Sequence, residues 1–499
     1  MGFLRTYGGV KRKMGGIFTR GTMRAATKLG RIRIPLEDGA NKKYRDPKLE
    51  MYDAYYDGRQ YDHLLSWDEV NDENGAHIPV RHRKPRIIYH FPKVLCQRIT
   101  SKLVGESTFP KFIVENDPFT EEYLRFIVKA SKLKSRILEP IRRVLSNGSG
   151  LVRFYMIDGA IKIESYLSKY CYPEFMPNGE LKSVRIQYVY SDKDDLDENG
   201  KPKEKWYKME LGQMKDVLYD NPEYEKDSEP KFNVKSVAEH NIGFVQAEWF
   251  KTADIRDSVD GYSLIGDVLD FVDELNYSLS QGSQATQYNQ DPQLLINRMD
   301  EDEVDTLIRS ATKAWNLGRE GNAQFLESNL NGVQVAGELR DKVIKSVQDV
   351  ARIVFLDPEK IVGSAQSAKA MEVLHGPMLE LIEELRNPIG NCMKGLVLKM
   401  AMTNLLLIEQ GAPAPVNVPP GFRPQSFDIE IQWQKVFPMT MLDLQQKVQV
   451  ASSVTGANLI SRETATKWLA KDFGVEDIEE ELAKIESQPV INPFAGGMF

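Results

Sequence analysis

Between His240 and Gly411 the chain repeatedly changes its apolar period, and the order of those changes restricts its fold more than any short motif. HNIGFVQAEWF opens the stretch. From Gly261 the period becomes 3.6: Leu264, Val268, Phe271, Val272, Leu275 and Leu279 make one apolar helix face, with Asp267, Asp270, Asp273 and Glu274 beside it. Asp291-Pro292, the run QLLIN and the glycines Gly318, Gly321 and Gly332 then predict a small mixed α/β excursion rather than a continued helix. A second amphipathic helix follows through Leu339, Val343, Ile344, Val347, Val350, Ala351 and Val354. It must stop at Leu356-Asp357-Pro358, because the residue before a proline avoids helical geometry. After the small residues Gly363 to Ala368, apolar positions recur from Val373 to Ile408 across Pro377 and Pro388. Each proline removes a backbone donor, so one long helix bent near both is expected.

The region before this core has two parts. KLEMYDAYYDG predicts a helix closed at Gly58, FPKVLCQRITSKLVG a second, and Glu121 to Leu145 a helical region interrupted at Pro140. At NGSG (Asn147 to Gly150) the period drops to two. Asp158-Gly159, Asn178-Gly179 and Asn199-Gly200 then separate alternating runs, which predicts an antiparallel meander of about five or six strands. Acidic stretches such as SDKDDLDENG lack calcium-loop spacing and read as solvated hairpin tips. Beyond Gly411 come a strand, FDIEIQW, and helices from Met441, from Ser461 and from Val475 to Glu486. Ser461 is placed to cap the middle one, and the tail QPVINPFAGGMF reads as extended.

Composition excludes several functions. With 41% hydrophobic and 27% charged residues over 499 positions, the chain has ample material for folded cores. Its net charge is −7, yet residues 1–36 carry nine Lys or Arg and no acid, a basic arm on an acidic body. Cys96, Cys171 and Cys392 are too few and too dispersed for a disulfide framework or a zinc site, which fits a reducing compartment. The apolar run GLVLKMAMTNLLLIEQ, broken by Lys399, Thr403 and Asn404, falls short of a membrane span, so a soluble protein without a membrane partner is expected. There is no GxxxxGK[ST] phosphate loop, no HExxH and no GxSxG elbow. No enzyme chemistry, cofactor or metal is expected. The acids Glu301, Asp302, Glu303 and Asp305 leave open a metal-dependent nuclease, and a purely structural role is the simpler reading of that polar stretch.

YDAYYDG, NGSGLVRFYMIDGAIKIESYLSKYCYPEFMPNGEL, GYSLIGDVLDFVDELNYSLSQ, the helix–loop–bent-helix order after Val335 and GANLISRETATKWL together resemble the portal proteins of tailed bacteriophages, from about Lys48 to Glu486. The resemblance implies an α+β fold of named parts. These are a basic arm (1–44), a wing of helices and antiparallel meander (45–258), a first stem helix (259–287), a small α/β clip (288–335) and a second stem helix (336–354). A tunnel loop (355–368), a long kinked wing helix (369–411), a strand with crown helices (412–486) and a tail (487–499) complete it. It further implies a ring, usually a dodecamer, at one capsid vertex, a channel for packaging and ejecting double-stranded DNA without sequence specificity. Terminase, the major capsid protein and a head–tail adaptor would be partners in a virion assembled in the host cytoplasm. Another ring-forming virion protein, an adaptor or baseplate component, is the alternative. Under this resemblance Asp267, Asp270, Asp273 and Glu274 are expected to include channel-facing residues, since carboxylates repel a duplex that must slide. Phe355, Leu356, Asp357, Pro358, Glu359, Lys360, Ile361, Val362, Gly363 and Ser364 are expected in the mobile tunnel loop.

Overall fold

The computed structural model describes residues 45–225, 230–256, 258–290, 293–297, 322–326, 331–354, 368–420, 422, 428–437, 441–470, 473 and 482–484. The chain divides into two compact units: Met1–Ile353 with Leu381–Gln434, and Val354–Glu380 with Lys435–Phe499.

The larger unit begins with helix α1 (Pro47–Asp57), where Asp46 caps the N-terminus by accepting from the Lys48 amide, and Gly58 closes the C-terminus. Helix α2 (Phe91–Val104) follows. Strand β1 (Lys111–Val114), α3 (Pro118–Ala130), a single helical turn at Leu133–Arg136 and α4 (Leu138–Asn147) come next. The helical region breaks at Ser131 and Lys132, where Lys132 turns to φ +53°, and again at Ile137, three residues before Pro140, close to the expected interruption. Pro140 sits in the first turn of α4, where its missing N–H costs little and its ring disfavours a straight continuation from the turn before it. The inner faces of these helices bury Leu95, Ile99, Leu103, Leu124, Ile127, Ile141 and Leu145 completely or nearly so. Each such side chain contributes about 1.5–3 kcal/mol.

All three turns expected from Asp-Gly and Asn-Gly are hairpin tips. Strands β2 (Ser149–Ile157) and β3 (Ala160–Leu167) pair through Asp158-Gly159, whose positive φ angles of 51° and 68° suit the strand twist. Strands β4 (Cys171–Phe175), β5 (Leu181–Leu196), β6 (Pro202–Gly212), β7 (Lys215–Tyr219) and β8 (Val234–Glu239) form a five-stranded antiparallel sheet in sequence order. At the β5–β6 tip, the Asp197 carboxylate accepts from the amides of Asn199 and Lys201 at 2.9 and 2.8 Å, so that acid closes a turn.

The single meander expected from sequence is in fact two sheets. Strand β9 (Ala247–Lys251) returns across the chain to pair with β2, giving the order β3-β2-β9. Leu151 and Trp249 of this sheet pack against Cys171, Val184, Ile186 and Leu211 of the five-stranded one, forming one dry core.

Gly148 ties these parts together. It ends α4 at φ +85°, and its carbonyl accepts from the amides of Thr252 and Gly261 at 3.0 and 3.2 Å. Those bonds, with Leu264 N donating to Leu145 O, tie Thr252, Gly261 and Leu264 to the end of α4. Helix α5 therefore starts at Leu269, later than the Gly261 start its periodicity suggests, and runs to Gln290. Strands β10 (Gln293–Asn297) and β11 (Asn322–Leu326) then pair antiparallel, and α6 (Asn331–Val350) packs beside α5.

Helix α7 (Ala368–Leu374) is separated by His375 from α8 (Gly376–Glu409), so the break expected near Pro377 lies two residues earlier, and Pro377 occupies the first turn of α8. Pro388 lies inside α8 without ending it. At 34 residues α8 is long and apolar enough to cross a membrane, contrary to the count made from sequence. Many of its apolar side chains nevertheless face protein: Ile382, Ile389, Met393, Leu396, Val397, Met400 and Ala401 are fully buried, while Met402 and Ile408 are exposed. Its polar groups are matched too. Lys399 donates to Glu248 at 2.6 Å and to the Ala247 carbonyl at 2.9 Å, while Asn404 bonds Tyr123 and both backbone groups of Val416. Strand β12 (Ile429–Gln432) pairs with β1 and completes this unit.

In the smaller unit, His375 stacks on Phe437 at 5.3 Å. Helices α9 (Met441–Gly456) and α10 (Arg462–Ala470) pack together, and Lys447 lies over the Trp468 ring. Ser461 caps α10 as its sequence suggests, its hydroxyl accepting from Thr464 N at 3.1 Å. The expected helix at Val475–Glu486 falls mostly outside the described residues, as do the basic arm and the tail.

Candidate functional site

Helix α5 carries the acidic residues singled out from sequence, and the fold separates them. Asp267, in the 3-10 turn before α5, and Asp270 in its first turn are exposed. Glu274 is partly exposed and pairs with Arg81 at 2.9 Å. Asp273, expected on the same acidic face, is 4% exposed. Its carboxylate points into the protein, where Tyr55 donates to one oxygen at 3.0 Å and Tyr61 donates to the other.

A buried carboxylate needs such donors, since hydrogen bonds to a charged group replace the water it loses. The network continues beyond it. Asn276 donates to the Tyr61 hydroxyl at 3.1 Å and accepts from the Tyr89 amide at 2.7 Å. One turn further, the Ser280 hydroxyl accepts from the Ile87 amide at 3.0 Å. The Tyr277 hydroxyl donates to the Arg83 carbonyl at 2.9 Å, and its ring meets Tyr61 edge-on at 5.9 Å. Arg86 reaches Gln287 at 2.9 Å.

Residues 81–89 therefore strap α5: Val80–His82 is a 3-10 turn beside Glu274 and Tyr277, and the chain after Arg83 lays Ile87 and Tyr89 along the helix. The spacing explains the match: two residues of extended chain advance about 6.6 Å and four residues of helix about 6.0 Å, so Ile87 and Tyr89 meet Ser280 and Asn276 in step. Pro85, the next residue in the alternation, has no N–H to satisfy. Arg83 anchors the strap from behind, bonding the Trp67 carbonyl at 3.0 Å with its guanidinium over the Trp67 ring.

The sequence reading missed this strap. Its signal was present in VRHRKPR, a basic run without acids that complements the acids of α5. The consequence is a sided helix: one face bound through polar groups to the strap and the α1 region, another bearing Asp267 and Asp270 at the surface.

Residues Phe355 to Ser367, which hold the expected tunnel loop, lie outside the described residues, as do Glu301, Asp302, Glu303 and Asp305. Among the described residues no group of three or more His, Cys, Asp or Glu side chains is arranged to hold a metal. Burial pushes the Cys96 and Cys171 thiols well above their ordinary range and Cys392 up to about 12. None is poised as a thiolate nucleophile.

Comparison with known proteins gives three results. No curated protein sequence matches the chain. Among solved structures, it is similar to chains in the neck of an empty gene transfer agent particle computed with C6 symmetry (10% identity, TM-score 0.43, 76% of this chain and 90% of that one) and in the virion of a native gene transfer agent particle (10% identity, TM-score 0.40, 76% and 89%). Both likenesses are distant. Residues 39–489 match the family described as phage portal protein, SPP1 Gp6-like. A match over that length identifies the chain as a member of the SPP1 Gp6-like phage portal proteins, structural and non-enzymatic components of the virion.

Proposed function

We propose that copies of this chain close into a ring, usually of twelve, at one vertex of the capsid, and that the ring is the channel through which double-stranded DNA is packaged and ejected. In this reading α5 and α6 are the stem helices, β10 and β11 belong to the clip that meets the terminase, and residues 355–368 supply the tunnel loop. The major capsid protein and a head–tail adaptor are the other neighbours. The observation that carries the reading is the sided α5: its strap-bound face leaves Asp267 and Asp270 exposed on a helix packed beside α6. A ring repeats those carboxylates around its axis, and a negative wall keeps a duplex moving where lysines would hold its phosphates.

The test exchanges the charges. Asp267→Lys with Asp270→Lys in the full chain is expected to preserve folding and ring formation, while packaged DNA per particle falls at least about tenfold as each phosphate contact adds affinity. Normal packaging and ejection by rings of the double variant would remove α5 from the channel wall.

A further inference from the structure

The corner between α3 and α4 carries a basic patch of a kind found nowhere in the acidic row discussed above. Lys129, Lys132, Lys134 and Arg136 fall within eight residues, KASKLKSR, that contain no acid. Several basic side chains elsewhere meet carboxylates, among them Arg143 with Asp57, Lys205 with Asp192 and Asp195, and Lys399 with Glu248, and the exposed lysines that do not, such as Lys193, Lys201, Lys215 and Lys235, are dispersed along the chain. Here, among the described residues, none of the four has a carboxylate within 4.0 Å.

The backbone presents them deliberately to one side. Ser131, Leu133 and Ile137 are fully buried, while Lys129, Lys132 and Lys134 are exposed and Arg136 is half-exposed. The reversal at Lys132, φ +53°, turns the end of α3 into the next helical turn, so buried and outward positions alternate. The Lys134 ammonium lies over the Phe109 ring at 5.5 Å, a contact that restricts the side chain without cancelling its charge. In a chain of net charge −7, an outward row of unpaired cations is a local reversal of sign.

We infer that Lys129, Lys132, Lys134 and Arg136 bind the phosphate backbone of double-stranded DNA, independently of base sequence. The side-chain chemistry selects this partner over an acidic protein surface. Protein interfaces are centred on buried apolar and aromatic anchors and are depleted in lysine, whereas the apolar residues of this segment, Leu133 and Ile137, are consumed by the protein's own core. Three of the four are lysines, point charges rather than forks aimed at particular groups, which suits holding phosphates whatever the base sequence. The inference does not depend on the channel reading, since it uses neither α5 nor the ring axis.

The test uses the full chain with a short duplex of mixed sequence, titrated by fluorescence anisotropy from about 50 to about 200 mM salt. Lys129→Gln, Lys132→Asn, Lys134→Ser and Arg136→Gln are combined; Asn accepts the positive φ at position 132. Loss of four phosphate contacts is expected to make the log–log salt slope shallower by about 3 to 4, and to weaken binding at least about tenfold in low salt. The single changes Lys132→Asn and Lys134→Ser, which leave folding unthreatened, are each expected to reduce the slope by about 1. A control replaces four exposed lysines elsewhere, Lys193, Lys201, Lys215 and Lys235, with Gln, and is expected to keep binding within about twofold, being away from the contact. Unchanged DNA binding by the patch variants overturns the inference, as does an equal loss in the control. Retained DNA binding with failure to join capsid shells also overturns it, and assigns the corner to an acidic protein instead.

Discussion

Asp273 shows how far a residue's role depends on what the fold brings to it. In sequence it is one of four acids at helical spacing, equivalent to Asp270. In the fold it is the acceptor for Tyr55 and Tyr61, residues more than two hundred positions away along the chain. Periodicity reports which side of a helix is apolar and cannot report that a neighbouring helix supplies phenols. The exposure of Asp267 and Asp270 was legible from their place on the polar side of the helical pattern. A stability difference follows. Asp273→Asn keeps the size but loses charge-assisted acceptance from two buried hydroxyls, and is expected to lower unfolding free energy by about 1.5–3 kcal/mol. Asp267→Asn, at the surface, is expected to stay within about 0.5 kcal/mol. Urea denaturation of the two variants checks this, and equal midpoints would show that the Asp273 network contributes nothing.

At the scale of elements, local chemistry was readable and long-range pairing was not. Asp158-Gly159, Asn178-Gly179 and Asn199-Gly200 each mark a hairpin tip, since the required backbone turn favours those residues wherever they occur. The Ser461 cap was readable for the same reason. That β9 joins β2 could not be read: the strands are about a hundred residues apart, and nothing in HNIGFVQAEWF points to a partner. Likewise the start of α5 is set by the Gly148 carbonyl, which ties Thr252 and Gly261 to the end of α4. Gly148 should therefore be the most sensitive glycine at these turns. An added Cβ there would lie 2.3 Å from the Gly261 carbonyl oxygen, in a left-handed conformation, whereas at Gly159 it would meet open space. Gly148→Ala is expected to cost more than about 3 kcal/mol, the strain of the conformation plus the clash, and Gly159→Ala only about 1–2 kcal/mol. Thermal denaturation of both variants measures the gap. Similar losses would mean that the α4–β2 junction yields without cost.

For the whole molecule, the residue and element arguments converge on a helix with assigned sides. The strap of residues 81–89 binds one face of α5 through amides and carbonyls, an arrangement that fixes register because each donor meets a particular acceptor. The exposed acids then have a defined direction relative to the body that carries them. The family was legible before the fold, and the match over residues 39–489 agrees with it. What a single chain could not disclose is the surface each copy presents to the next, since that is a property of the assembly and is written in no local pattern. Cryo-electron microscopy of the assembled full chain is the most direct measurement. The account predicts a closed ring in which α5 of every copy stands beside the axis with Asp267 and Asp270 facing the lumen. Solitary chains under every assembly condition, or a ring with α5 turned away from its axis, would contradict it.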